Sequence, residues 1–301
     1  MFSKTTWPAC GLAAAAIVLL GFGSNFANAT APCGDFGECK VLVEINATDG
    51  DIGFHFLMDG DNLIHASLYN PQHRRIFSYV VRRELREQFL TETFAESAEP
   101  LCFDPLSDDD EENDDEDFVT LEEFLDRWSE GEYHFFGIGE DWQVSHGAST
   151  LSFKLPAAPT ELDWETEEQD GDVEGEISWE AGDDLGECSD GMEQLPMAPA
   201  EVAVRTWEVV FEPDVEDDDP VKGMKYTVRI PGDSAELEVE VPDDYLETLP
   251  ENTPAKVEVG AIGFDDNATF TELGDICVNE NDPDEGDNLD GCGFEIEEDD
   301  D

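Results

Sequence analysis

The residues best spaced for chemistry are the carboxylates of Glu112–Glu123, which match part of a calcium-binding loop. Acidic side chains occupy the first, third, fifth and twelfth positions of such a loop. Asp117 stands at the sixth position, where the sharp turn requires glycine, and Pro105 argues against an entering helix. Thr120 and Glu123 also have the spacing of a helix capping box, which explains both residues without a metal. We therefore expect no helix–loop–helix calcium site, and loose cation binding stays an alternative.

Two other groups of polar residues could bind a metal. The aspartates of Asp282–Asp290 resemble thrombospondin-type calcium repeats in spacing, but a single copy favours a solvated acidic tail. His55 and His65 alternate with core residues on neighbouring predicted strands, so both could face one outer surface. Exposed strand histidines are the favoured interpretation, and a two-histidine metal site is the alternative. The sequence therefore predicts no cofactor and no metal, with weak calcium binding left open.

Catalytic motifs do not occur in the sequence, which contains no Gly-x-Ser-x-Gly, His-Glu-x-x-His or phosphate-binding loop. Carboxylates are so numerous that any pair could be proposed as an acid and a base, and no pair stands out. We therefore predict that the protein is not an enzyme.

The charge balance is strongly acidic, with 14 Lys and Arg against 77 Asp and Glu, which gives a net charge of −63. Such a chain repels nucleic acid and anionic lipid surfaces, so neither is expected as a partner. Salt shortens the reach of this repulsion to about 8 Å at physiological ionic strength. Adaptation to salty surroundings and binding of divalent cations both explain the acidity, and the spread of acids along the chain favours the first.

Five of the basic residues lie in one segment, Arg74–Arg86. One interpretation is a docking patch for an acidic partner or for acidic loops of the same chain. The other is ordinary surface charge that relieves local repulsion, and this interpretation is favoured because exposed charges usually have no further role.

The first 29 residues have the features of a bacterial secretory signal peptide. Lys4 supplies a positive charge, Ala9–Phe22 is a short apolar run, and Ala27 and Ala29 form an Ala-x-Ala cleavage site. The apolar run is too short to span a bilayer, which needs about 20 residues. We expect cleavage after Ala29 and a secreted or periplasmic product. A membrane anchor is not expected, because the sequence contains no second apolar run.

The cysteines beyond this segment are even in number, and they are Cys33, Cys39, Cys102, Cys188, Cys277 and Cys292. In an exported protein such a set predicts disulfides, for which about fifteen pairings are possible. Cys188 with Cys277 is the favoured single pair, because both flank the same predicted domain. No Cys-x-x-Cys pair is present, which argues against zinc.

Residues 33–155 are expected to form a first antiparallel β-sandwich domain with one or two short helices. Short runs alternate apolar and polar residues, and Asp49-Gly50 and Asp59-Gly60 between them are typical of hairpins. Helices are expected at Glu84–Leu90 and after Thr120. The closing hairpin resembles that of exported jelly-roll modules such as bacterial pre-peptidase C-terminal domains, on the residues Trp128, Gly131, Tyr133 and Phe135.

Residues 156–280 are expected to form a second antiparallel β-sandwich, with Pro156–Pro159 as a stiff linker between the domains. Leu249–Phe264 resembles the penultimate strand of a fibronectin type III domain, whose pattern is Leu-x-Pro-x-Thr-x-Tyr-x-Val-x-Val-x-Ala. Trp179 falls in the place of that family's core tryptophan, whereas Ala255 replaces the tyrosine that forms its corner hydrogen bond. The other strands of the resemblance are Pro159–Trp164, Ile177–Trp179, Trp207–Phe211, Met224–Ile230, Leu237–Val241 and Ala268–Leu273.

Residues 281–301 are acidic and lack periodicity, which predicts a disordered tail. The whole pattern predicts an all-β exported protein with two domains and a non-catalytic binding or structural function. Its partner is an unknown protein or glycan. The alternatives are a calcium-dependent adhesive or glycan-binding protein, and, from the jelly-roll resemblance, an accessory subunit of an exported hydrolase.

Overall fold

The computed structural model describes residues 33–103, 118–169, 172–216, 218–279 and 292. All of them belong to one compact unit, Pro32–Asp301. In the described part of the first half, the strands are β1 (Glu38–Asn46), β2 (Asp51–Tyr69), β3 (Arg75–Val80), β4 (Leu90–Glu96), β5 (Gly131–Gly139) and β6 (Val144–Leu151), and the helices are α1 (Glu84–Gln88) and α2 (Leu121–Arg127).

The first strand and its turn follow the sequence pattern. Val41, Val43 and Ile45 are fully buried, and the residues between them, Leu42 and Glu44, point to the other face of the sheet. Gly50 turns the chain into β2 with a φ of +73°, a left-handed conformation that glycine adopts without steric cost. The predicted hairpin at Asp49-Gly50 is therefore present.

The prediction of a second hairpin at Asp59-Gly60 is wrong, because both residues lie inside β2, a single strand of 19 residues. The pairing of β2 with β4 shifts between Asp59 and Leu63, so the chain accommodates this point as a β-bulge. Gly60 serves close packing here, since a Cβ on it would lie 2.7 Å from the ring of Phe36. A dipeptide typical of turns is thus explained by a tertiary contact.

Helix α2 begins where the capping box predicts. The hydroxyl of Thr120 accepts a hydrogen bond of 3.3 Å from the backbone amide of Glu123. Leu121 and Phe124 are buried in the core beneath the helix. The capping interaction and one apolar helix face therefore suffice to place this short helix.

Seven strands and one short helix follow in the described part of the second half. They are β7 (Pro159–Gln169), β8 (Asp172–Ala181), β9 (Val204–Pro213), β10 (Tyr226–Pro231), β11 (Glu238–Val241), α3 (Asp243–Leu246), β12 (Thr253–Gly263) and β13 (Ala268–Val278). Each strand overlaps one of the apolar runs that the sequence predicts as a strand. Local alternation therefore located these elements.

The strands form two sheets. The larger one has ten strands, in the order β10-β9-β12-β13-β1-β2-β5-β6, with β3 and β4 both paired to β2. The smaller one has three strands, in the order β11-β8-β7. Among these strands, β1 and β13 form the one parallel pair, with Glu44 opposite Ala268 and Asn46 opposite Phe270. The fold is thus mostly β, and its large sheet is mixed.

The expectation of two separate antiparallel sandwiches needs correction, because the large sheet runs without a break through both halves of the chain. Pro156–Pro159, the expected linker, is buried rather than solvated. The hydroxyl of Thr269 donates to the Pro156 carbonyl at 2.7 Å, and that of Thr271 donates to the Pro159 carbonyl at 2.7 Å. A composition typical of linkers could not show that β13 would bind this segment.

Two hydrophobic cores nevertheless lie along the sheet. The first contains Val43, Ile52 and Phe135, and it also receives Leu185 and Cys188 from the second half. The second contains Trp179 from the small sheet and Val257 from the large one, so the two sheets face each other there. The two halves therefore have separate cores but share a sheet, and one loop of the second half packs on the core of the first.

The six cysteines form three disulfides, Cys33–Cys39, Cys102–Cys188 and Cys277–Cys292. The favoured pair Cys188–Cys277 is therefore wrong. Its error has a physical cause: the loop that carries Cys188 packs on the first core, where the Glu187 amide donates to the Ala47 carbonyl at 3.0 Å. Three disulfides are typical of proteins that fold in an oxidising compartment outside the cytoplasm.

Within the residues that the structure describes, every helix is too short or too polar to cross a membrane. The predicted signal peptide, with Ala27 and Ala29, lies outside those residues, as does the predicted acidic tail apart from Cys292.

Candidate functional site

The calcium loops suggested by the sequence lie largely outside the described residues. Of Glu112–Glu123, the structure shows the part from residue 118 onward, where Thr120 and Glu123 cap helix α2. Asp282–Asp290 is not described at all. Calcium binding by either segment therefore stays a prediction.

The two histidines do not form the site considered from the sequence. Both lie on β2, not on neighbouring strands. The Nε2 atom of His65 is 3.3 Å from the hydroxyl oxygen of Ser67, within hydrogen-bond distance. His55 is only 3% exposed, so the expectation of an exposed strand histidine is wrong for this residue. Its environment is the more informative of the two.

His55 lies between two glutamates. Its Nε2 atom is 2.8 Å from Glu99 Oε1, and its Nδ1 atom is 3.9 Å from Glu44 Oε2. One ligand atom from each of the three residues can be chosen so that all lie within 4.8 Å of one another. We call these three residues the Glu–His–Glu cluster.

The strands place the cluster as follows. In the β1–β2 register Glu44 is opposite Gly53, and His55 is two residues further along β2, so the two side chains share the face away from the first core. Glu99 comes from the segment after β4, which the Ser97 hydroxyl holds against β2 by accepting a 3.0 Å hydrogen bond from the Phe54 amide. Two neighbouring strands and one tethered segment thus converge on one point.

Gly53 leaves the space in which the cluster forms. A Cβ at this position would lie 2.7 Å from Glu99 Oε1 and 2.8 Å from His55 Nε2. Real Cβ atoms do not approach oxygen or nitrogen so closely, and any larger residue would displace one of the two side chains. The glycine therefore allows the carboxylate to reach the imidazole.

A cleft of about 350 Å³ surrounds part of the cluster and is rich in carboxylates. Its acidic lining residues are Glu44, Asp51, Glu99, Glu208, Glu258 and Glu272. Burial, followed by repulsion from Glu99 and Asp49, raises the pKa of Asp51 to about 6. Burial also raises the pKa of Glu44, although His55 opposes this effect. The cleft is therefore a place where negative charge is crowded and costly.

Beyond the cleft, Lys256 compensates part of this charge. Its ammonium group is 2.6 Å from Glu272 and 3.1 Å from Glu258, both on the same outer face of the large sheet. Partial burial alone would lower the pKa of Lys256, but the hydrogen bonds to Glu272 and Glu258 raise it. Lys225, which lines the cleft, pairs with Glu212, and Arg229 pairs with Glu208. Among the described residues, no ion pair joins a lysine or arginine to Glu44 or Glu99.

Six exposed arginines lie in or beside β3, α1 and α2. We call them the arginine surface, and its members are Arg74, Arg75, Arg82, Arg83, Arg86 and Arg127. The ion pairs of the described residues involve other bases, namely Lys40, Lys154, Arg205, Lys225, Arg229 and Lys256, besides two histidines. Within the described ranges, none of the six arginines has an acidic partner.

Apolar side chains accompany the arginines. Ile76 is 41%, Val80 52%, Leu85 44% and Phe94 57% exposed, and all four belong to β3, α1 or β4. A cleft of about 360 Å³ in this region is lined by three of the arginines together with Ile76, Trp128 and Tyr133. Arginines and exposed apolar side chains therefore lie on neighbouring elements, of which α1 and β4 also carry exposed glutamates.

Sequence reasoning identified the arginine segment but not the Glu–His–Glu cluster. His55 was noticed for its alternation with core residues, while Glu44 and Glu99 did not stand out among 77 acidic residues. The register of β1 with β2 brings Glu44 to His55, and the predicted hairpin at Asp49-Gly50 is a local signal for that pairing. No local signal places Glu99 beside His55.

Comparison with known proteins gives little further information. No protein-family model and no curated protein sequence matches the chain. A solved structure described as a biofilm associated protein, BSP domain, is weakly similar, with 12% sequence identity and a TM-score of 0.21. The similarity covers 82% of this chain and 30% of that one. At these values it carries no functional information.

Proposed function

We propose that this chain is an exported, non-catalytic binding protein that docks an acidic partner on its arginine surface. The observation that carries the proposal is the lack of ion pairs at these six arginines within the described residues. In a chain with 77 acidic residues, arginines that served only to relieve repulsion would pair with nearby carboxylates. Arginines kept free and adjacent to exposed apolar side chains are typical of binding surfaces instead.

The partner that fits this surface is an extended acidic polypeptide. Strands β3 and β4 each pair only with β2 among the described residues, so both leave one edge open. An open edge can accept a further strand through its backbone amides and carbonyls. Alternate side chains of that strand would then meet the arginines and the exposed apolar residues such as Val80 and Phe94.

Two further features support this proposal. All six cysteines beyond the predicted signal peptide are in disulfides, which supports export. The second half divides its strands between two facing sheets, β11-β8-β7 and β10-β9-β12-β13, which supports a fibronectin type III-like sandwich at residues 156–280. Such a fold is a scaffold and does not by itself define an activity.

The proposal can be tested by fluorescence anisotropy with a labelled peptide of alternating Glu and Val. We expect the full chain to bind it at physiological ionic strength, where repulsion beyond about 8 Å is screened and direct charged contacts still act. The variant Arg74→Ser/Arg127→Ser should bind about tenfold more weakly or worse, because two charged contacts are lost. Lys154→Ser/Lys222→Ser removes the same charge elsewhere and should bind like the parent.

Equal affinities of the two double variants would contradict the proposal, and so would the absence of any binding. Tighter binding of an anionic polysaccharide than of the peptide would assign a different class of partner. Hydrolysis of any substrate in a broad panel by the purified chain would show that the non-catalytic part of the proposal is wrong.

A further inference from the structure

We infer that Glu44, His55 and Glu99 form a binding site for one divalent transition-metal ion of the zinc class. This inference does not depend on the arginine surface, which involves other residues. It rests on the convergence of three ligand side chains, two carboxylates and one imidazole, in a space that Gly53 keeps open on the outer face of the large sheet.

The ligand set determines the class of ion. Imidazole is a ligand that Zn²⁺ and its transition-metal neighbours prefer, whereas Ca²⁺ and Mg²⁺ take oxygen ligands. Zinc accepts both histidine nitrogen, at about 2.0–2.1 Å, and carboxylate oxygen, at about 2.0–2.2 Å. Atoms that share such an ion lie about 3–4 Å apart, and the 4.8 Å limit of the cluster approaches this spacing.

The burial of His55 gives the second argument. An imidazole that is only 3% exposed presents a fixed ring orientation, so little order would have to be created on binding. Glu99 is already 2.8 Å from Nε2, and the 3.9 Å between Nδ1 and Glu44 is too long for a hydrogen bond. The two carboxylates approach different ring nitrogens, and one ion binds one of them. Because one ligand atom from each residue lies within 4.8 Å of the others, a shift of one glutamate side chain would bring all three onto the same ion.

Electrostatics gives the third argument. Six carboxylates line the cleft, and its one lining lysine, Lys225, is paired with Glu212. Within the described residues, no ion pair joins a lysine or arginine to Glu44 or Glu99. A divalent cation at the cluster would relieve this repulsion, so zinc binding should stabilise the fold.

The test uses the full chain after treatment with EDTA and dialysis. Zinc is titrated by isothermal calorimetry in molar sodium chloride with excess magnesium, which occupies the nonspecific carboxylate sites. We expect one zinc ion per chain above the background. Titration with Co²⁺ should give a visible absorption band that saturates at the same stoichiometry, which separates an ordered site from diffuse binding.

Glu44→Gln and Glu99→Gln keep the size of each side chain and should weaken zinc binding about tenfold or more. Gly53→Ala keeps all three ligand residues but displaces the Glu99 side chain, so it should weaken zinc binding to a similar extent. Glu92→Gln, an exposed glutamate on β4, is the matched control and should bind zinc like the parent. Thermal melts of each apo variant check that the fold is intact.

Two results would overturn the inference. One is the absence of a stoichiometric zinc site in the parent chain, which would leave His55 as a buried imidazole between two carboxylates. The other is a zinc site of unchanged affinity in all three site variants, which would place the ion elsewhere. If one variant fails to fold, the other two decide between these outcomes.

Discussion

Asn267 accepts a hydrogen bond of 2.9 Å on its side-chain oxygen from the backbone amide of Val43, 224 residues away in the sequence. Its side-chain nitrogen donates to the backbone oxygens of Ser152 at 2.8 Å and Lys154 at 3.1 Å. A single buried amide in the turn between β12 and β13 thus joins strand β1 to the segment after β6. This joint lies where the two halves of the chain share a sheet.

Replacing this amide should weaken the whole molecule. Asn267→Ala leaves the Val43 amide and two backbone oxygens without partners in a fully buried place. We expect the free energy of unfolding to fall by about 2 kcal/mol, measured by urea denaturation. Gln72→Ala removes an exposed amide and should have no effect, and equal losses in the two variants would contradict the role given to Asn267.

Tyr245 ties helix α3 to the backbone of two other segments of the second half. Its hydroxyl, in α3, donates to the backbone oxygens of Met224 at 3.1 Å and Phe211 at 3.4 Å. Tyr245→Phe should lower the free energy of unfolding by about 1 kcal/mol, since the ring keeps its contact with Phe211. Tyr69→Phe is the matched control. An unchanged denaturation midpoint for Tyr245→Phe would mean that packing alone holds helix α3 in place.

The disulfide connectivity predicts unequal losses. Cys102 and Cys188 are 86 residues apart, and Cys277 and Cys292 are 15 apart. In the loop-entropy description, removing the first bond costs about 4–5 kcal/mol and removing the second about 3 kcal/mol. The variant Cys102→Ser/Cys188→Ser should therefore have a lower melting temperature than Cys277→Ser/Cys292→Ser. Mass spectrometry of unreduced peptides checks the pairing directly, and a peptide that links Cys188 to Cys277 would refute it.

The acidic cleft should make stability depend on pH in a defined direction. The pKa of the Asp51 carboxyl is raised to about 6 in the folded chain. Loss of its proton costs more in the folded than in the unfolded state, so the fold becomes less stable as the pH rises from about 4 to about 6. Asp51→Asn should therefore be more stable than the parent at pH 7, by about 1 kcal/mol after solvent screening, and no different at pH 4. Melts in EDTA test this, with Asp61→Asn as the control. A stabilisation that persists at pH 4 would contradict the mechanism.

Salt should stabilise the chain as a whole. If the acidity is an adaptation to salt, the melting temperature should rise steadily from low to molar sodium chloride as repulsion is screened. Sodium, magnesium and calcium compared at matched ionic strength separate screening from binding. A flat response to sodium chloride would show that the explanation is wrong, and a larger response to calcium than to magnesium would favour the calcium-binding alternative.

Local sequence patterns predicted most elements but few of their contacts. The alternation of Val41, Val43 and Ile45, the capping box of Thr120 and the runs of the second half all located elements correctly. The hairpin at Asp59-Gly60 failed because the packing of Phe36 on Gly60, which is not local, explains the glycine. The position of Glu99 beside His55 could not be predicted for the same reason.

The sequence by itself determined the strands, the capped helix, the acidic character and the availability of six cysteines for disulfides. These properties follow from neighbouring residues, whose periodicity and charge act within a few residues of one another. Only the tertiary structure decided that β1 pairs with β13, that Cys188 bonds to Cys102, and that two glutamates flank His55. Apart from the contact of Glu44 with His55 across one hairpin, each of these joins segments that are distant in the sequence and depends on the packing of the whole sheet.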